Sequence, residues 1–186
     1  MKAALLLHGD GGSDKDYFWF GDTKKYLESQ GYTVWWPLLP HAAEQNLVDS
    51  TKFVLDNAPT LDEHTIMIGH SSGCPTILYI LQHTSTQIKQ AILVSGFYEQ
   101  RKDFPVPDQM LPKKPFDYKK VKQHAKEVVI INSDNDPWGC DDKQARPVVE
   151  KLGAKFIFAG GQGHMGSDTY NQPYREFPVL KGLLKA

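Results

Sequence analysis

The sequence predicts a three-layer α/β sandwich with about six parallel strands flanked by helices. Three observations lead to that class. Short apolar runs alternate with longer amphipathic ones along the whole chain. The apolar runs have strand length and are rich in Val, Ile, Leu and aromatic residues. A chain of 186 residues with 40% hydrophobic content is enough for one buried core and too little for two ordinary domains. Residues 1–186 therefore read as a single domain.

In chain order, the first strand covers 2–7 and stops at His8-Gly9, and a helix follows at 20–30 with Gly31 placed as its C-terminal cap. The second strand is 32–36, the second helix 45–57, the third strand 65–68. The third helix, 72–82, carries Ile77, Leu78, Ile80 and Leu81. The fourth and fifth strands are 90–94 and 128–132, separated by a long stretch from 97 to 126. That stretch holds Pro105, Pro107, Pro112 and Pro115 and shows little periodicity, so it reads as an irregular excursion, too short for more than a minimal lid. A helix at 141–152 capped by Gly153 contains Pro147, which should kink it and split it into two pieces. The sixth strand, 155–158, and a helix at 177–185 close the series.

Charge excludes several function classes. The 21 basic and 22 acidic residues are dispersed with no block of one sign, which argues against nucleic acid or an anionic membrane as partner. No apolar run approaches the roughly 18 residues of a bilayer span, and none near the start resembles a secretory segment. Nothing indicates a protein partner. Cys74 and Cys140 are too few for a disulfide framework, which favours a reducing, cytoplasmic location. The histidines show no metal-ligand spacing on any one element, and the glycine-rich turn at 9–14 lacks the third glycine of a dinucleotide loop, so neither metal nor cofactor is expected.

The chemistry starts at Gly69-His70-Ser71-Ser72-Gly73, a G-x-S-x-G motif between a strand and a helix. Small residues two before and two after the serine permit the sharp turn that exposes a nucleophilic hydroxyl. A serine needs a base and an acid to orient that base, in the chain order Ser, Asp, His. After the fifth strand come Asp134 and Asp136. Asp136 is favoured because Pro137 stiffens its loop. After the sixth strand, a mobile glycine-rich loop carries His164. In a parallel sheet all strand C-termini share one edge, so Ser71, Asp136 and His164 converge there. The N–H groups of Ser72 and Asp10 are the expected oxyanion donors, with the Asp10 carboxylate turned away. Trp19 and Trp138 flank the site and are placed as pocket lining, and a thiol enzyme built on Cys74 or Cys140 ranks low.

These residues resemble the small single-domain serine hydrolases of the YdeN-like and retinoblastoma-binding-protein-9-like group, within the α/β-hydrolase fold. The likeness rests on His8-Gly9, the Gly69–Gly73 elbow, Phe116-Asp117-Tyr118-Lys119-Lys120-Val121, Asn135-Asp136-Pro137 and Gly163-His164. It implies six parallel strands, no cofactor, and a triad on Ser71, Asp136 and His164. Trp138-Gly139-Cys140 after Pro137, and Met165 after His164, depart from the group's usual pattern and bear on pocket shape. The expected activity is hydrolysis of small carboxylic esters, or of thioesters or amides, through an acyl-enzyme. The alternative is a binding or scaffold protein on the same fold, with incidental turnover.

Overall fold

A computed structural model describes residues 2–184, so position 185 of the expected last helix lies outside the described residues. Strands β1 (Ala3–Leu7), β2 (Thr33–Trp35), β3 (Ile66–His70), β4 (Ile88–Val94), β5 (Ala125–Asn132) and β6 (Lys155–Phe158) form one sheet in the order β2-β1-β3-β4-β5-β6. Every pairing is parallel. The chain leaves β1 for the near edge at β2, then crosses back to β3. The strand order therefore switches between β1 and β3, where a ligand crevice opens in sheets of this kind.

Side chains alternate across the sheet because the strand period is two. Leu5, Leu7, Met67 and Leu93 enter one apolar cluster, while Ala4, Leu6, Ile68 and Ile92 enter the other. Both faces are covered, which is why β1 and β3 read as continuous apolar runs rather than alternating ones. Helices α2 (Leu47–Asn57), α3 (Gly73–His83), α4 (Tyr118–His124) and α5 (Asp142–Leu152) feed residues into the first cluster. Helices α1 (Phe20–Ser29) and α6 (Pro178–Leu183) cover the second face. The edge strands β2 and β6 are short and partly exposed, which limits pairing with other chains.

Two expectations require correction. The stretch 97–126 is not all irregular, because α4 lies within it as the crossover between β4 and β5. Asp117 caps it by accepting from Lys120 N at 3.1 Å, and Val121 is its one buried residue. A two-turn helix with a single buried side chain leaves no periodic signal. Only 97–115 reaches toward the carboxyl edge of the sheet, where Phe97 and Met110 cluster with Cys140. Second, Pro147 does not split α5, which runs unbroken from Asp142 to Leu152. Asp141 caps its start by accepting from Lys143 N and Gln144 N at 3.0 and 3.3 Å, and Ala145, Val148 and Leu152 anchor it on the sheet. Tertiary packing on both sides of the proline outweighs the one missing helical bond.

That missing bond can be measured. A proline in a helix interior costs about 3 kcal/mol relative to alanine, offset by up to about 1 kcal/mol of lost unfolded-chain entropy. Pro147→Ala is therefore expected to raise the unfolding free energy by about 2 kcal/mol in urea titrations. A destabilised variant would show that the ring's own packing matters more.

Candidate active site

Between β3 and α3 the backbone turns within one residue. Ser71 sits at φ 52°, a left-handed conformation uncommon for a residue with a Cβ. Its N–H is held by the Val94 carbonyl at 3.0 Å, which locks the turn to β4. A side chain at Gly73 would collide with the Leu7 carbonyl, so α3 can approach β1 only with glycine there. This is the physical content of the small-residue requirement in the motif.

Ser71 and His164 both line one open cleft of about 610 Å³ at the carboxyl edge, together with Asp10, Tyr17, Phe18 and Trp138. Behind this surface His164 Nδ1 lies 2.7 Å from Asp136 Oδ2, with both side chains buried. A carboxylate at that distance makes Nδ1 the protonated nitrogen and leaves Nε2 an acceptor. The second oxygen of Asp136 accepts from Trp138 N at 2.8 Å. Asp134 is instead occupied at the surface, where it accepts from Gly161 N at 2.8 Å.

The loop carrying His164, expected to be mobile, is tied at several points. Asn135 Oδ1 accepts from Gly163 N, and Gln172 Oε1 accepts from His164 N, each at 2.8 Å. Ser133 Oγ donates to Gly163 O at 2.7 Å, and Ser95 Oγ donates to His164 O at 2.9 Å. His70 Nε2 donates to the same His164 carbonyl at 2.8 Å. Its Nδ1 then accepts from the Tyr17 hydroxyl at 2.8 Å, which itself accepts from Gly9 N at 2.9 Å. One chain of hydrogen bonds thus joins the loop after β1, the elbow and the loop after β6.

A second set holds the loop after β1. His8 Nε2 accepts from Leu39 N at 2.9 Å, so its Nδ1 donates to Gly9 O at 2.7 Å. Gln45 Nε2 donates to Gly9 O at 3.0 Å, while its Oε1 accepts from Ser72 Oγ at 2.8 Å. Asp10 Oδ1 accepts from Gln45 N at 2.8 Å. Burial raises the pKa of that carboxyl. Gly9 comes so near Ser71 that an added Cβ would stand 2.7 Å from Ser71 Cβ. Among the hydrogen bonds of the described residues, none uses the N–H of Asp10 or of Ser72.

Of the expected lining residues, Trp138 is on the cleft wall, 48% exposed and edge-on to Tyr170. Trp19 is not. It is fully buried beneath the site, donates from its indole N–H to Met165 O at 2.9 Å, and packs edge-on against His70. Its position just before α1 suggested a rim, but Phe20 and Phe177 draw it into the core. Cys74 is a buried packing thiol within 3.3 Å of the Gly69 and Val94 carbonyls, and burial raises its pKa far above the usual thiol range. Sequence reasoning overlooked Tyr17, His70, Gln45 and Gln172. Their roles depend on partners as far away as residue 164, and only the place of His70 inside the elbow offered a signal.

Burial holds His70 well below its ordinary pKa, so its ring stays neutral in the fold and protonates in the unfolded chain below about pH 6.5, and burial lowers His8 as well. The unfolded state then binds more protons, and stability falls as pH drops. Between pH 6.5 and pH 5 the slope from His70 should approach about 1.4 kcal/mol per pH unit, with a smaller addition of the same sign from His8. Denaturation series across that window test this. A flat profile would mean that the rings take up protons as readily in the fold as in the unfolded chain.

Known proteins share this sequence pattern and this fold. The serine hydrolase family model matches residues 4–184. YdeN of Bacillus subtilis (strain 168) is 31% identical over 137 residues, covering 73% of this chain and 71% of that protein. The serine hydrolase RBBP9 of Rattus norvegicus is 26% identical over 184 residues, covering 97% and 95%. The crystal structure of the ydeN gene product from B. subtilis superposes with a TM-score of 0.87 at 24% identity, over 99% of this chain and 97% of that one. Among the described residues no helix is long and apolar enough to cross a membrane. With its six-stranded parallel sheet of α/β-hydrolase type and a family match spanning nearly its whole length, the chain belongs to the serine hydrolase family.

Proposed function

We propose that the chain, acting as a single domain, hydrolyses small carboxylic esters through an acyl-enzyme on Ser71. The observation that carries this reading is the buried 2.7 Å contact between His164 and Asp136, opening on the same cleft as Ser71. Ser71 Oγ attacks the carbonyl carbon and gives its proton to His164 Nε2. The imidazolium, steadied by Asp136, returns that proton to the leaving alcohol. Water then attacks the acyl-enzyme by the same route. The N–H groups of Asp10 and Ser72 receive the oxyanion, each contributing about 3 kcal/mol in the transition state. Gln45 holds both residues, through Asp10 Oδ1 and Ser72 Oγ, so their donors are oriented before substrate arrives.

No cofactor takes part in this scheme. Small acyl groups are favoured because only the short segment 97–115, rather than a helical cap, covers the cleft, with Phe97, Val106 and Met110 as its apolar wall. Two free buried thiols fit a reducing, cytoplasmic setting.

A fluorophosphonate probe is expected to label the protein and to fail on Ser71→Ala. With p-nitrophenyl acetate, Asp136→Asn should lower kcat by about 10⁴-fold, because the wrong imidazole tautomer is then presented to the serine. Acetyl and butyryl esters should turn over faster than long-chain ones. Labelling of Ser71 without turnover of any ester, thioester or amide would favour a binding role instead.

A further inference from the structure

The cleft holds one reactive group that the proposed hydrolysis does not use. Cys140 follows the tight turn closed by Gly139 N on Asp136 O at 3.1 Å, which folds its thiol back beside the acid–base pair. The ligating atoms of Asp136, Cys140 and His164 all lie within 4.8 Å of one another, and all three residues are buried. Among the described residues the thiol's hydrogen-bond partner is the Trp138 carbonyl at 3.9 Å, a weak contact. Cys140 and His164 both face the cleft, which provides an ion with a path from solvent.

We propose that Asp136, Cys140 and His164 form an inhibitory site for a thiophilic divalent cation, Zn²⁺ being the best match, which shuts the enzyme by occupying Nδ1 of its base. One thiolate, one imidazole and one carboxylate make a donor set that suits Zn²⁺ and discriminates against Mg²⁺. Bonds of about 2.0–2.3 Å in a tetrahedron place ligand atoms about 3.3–3.7 Å apart. The His164–Asp136 contact therefore opens by less than 1 Å, and the sulfur closes in. The fourth position takes water.

The consequence for catalysis follows from the two ring nitrogens. With the metal on Nδ1, the neutral imidazole carries its proton on Nε2 and has no lone pair for the Ser71 hydroxyl. The imidazole proton moves from one nitrogen to the other, and the thiol proton leaves to solvent. The dication is then balanced by thiolate and carboxylate. Burial, with the Asp136 carboxylate nearby, keeps the Cys140 thiol protonated without metal, so the thiolate forms only as the ion binds.

This rests on the triad reading for its effect on rate, but binding is measured separately. Isothermal titration of the metal-stripped protein with ZnCl₂ should show one site, retained in Ser71→Ala and weakened at least tenfold in Cys140→Ser and in Asp136→Asn. Co²⁺ should give a thiolate charge-transfer band in the near ultraviolet with the wild type and none with Cys140→Ser, provided thermal melts show the variant folded. In p-nitrophenyl acetate assays, ZnCl₂ should inhibit reversibly by chelator while MgCl₂ does not, and Cys140→Ser should move the midpoint at least tenfold higher relative to its own uninhibited rate. Unchanged Zn²⁺ affinity in folded Cys140→Ser and Asp136→Asn, or no cobalt–thiolate band in the wild type, overturns the site. If no ester is hydrolysed while the titration and the cobalt band behave as stated, the hydrolase reading fails and the metal site stands.

Discussion

The parallel sheet constrains everything else, because it sends every strand's carboxyl end to the same edge. Residues 71, 136 and 164 are far apart in the chain, yet each lies a few positions past the end of β3, β5 or β6. Their meeting needs no long-range pairing beyond the sheet itself. The switch in strand order between β1 and β3 then opens a crevice at that edge. The loop after β1 enters it, and Gly9 passes against Ser71.

Convergence brings loops together only to within several ångströms. Buried polar side chains fix their positions more closely. His70 and Tyr17 link the Gly9 amide to the His164 carbonyl, and the run from Ser133 to Asp136 grips the loop at 161–164 residue by residue. Leaving any of the buried members unpaired would cost about 1–3 kcal/mol, so the network resists sliding as well as unfolding. A glycine-rich loop that would be flexible alone thereby becomes a fixed support for an imidazole. Gln45 does the same for the loop after β1, since one amide reaches Gly9 and Ser72 together.

The same short turn that brings Asp136 to His164 also brings Cys140, because Gly139 at φ 73° reverses the chain within four residues. Packing of Phe97 and Met110 over this turn keeps the thiol dry and leaves it one face on the cleft. The geometry that holds Asp136 against His164 thus also places a thiol at the same point.

The sequence by itself determined the sandwich, the six strands and the elbow, because those depend on local signals: apolar runs of strand length, and small residues flanking Ser71. It also narrowed the acid to Asp134 or Asp136, since both follow β5. What it could not resolve was set by contacts distant in the chain. Helix α4 was hidden by its shortness, and α5 survives Pro147 because the sheet supports both halves of the helix. Trp19 lies in the core rather than at the rim because Phe177, from the other end of the chain, packs against it. Loop stiffness beside Pro137 favoured Asp136 over Asp134 in the sequence, but their partners are a matter of tertiary structure, where Gly161 N meets Asp134 and His164 meets Asp136. A pattern of residue types specifies which elements form, whereas the partner of each polar group depends on which loops the folded sheet sets side by side.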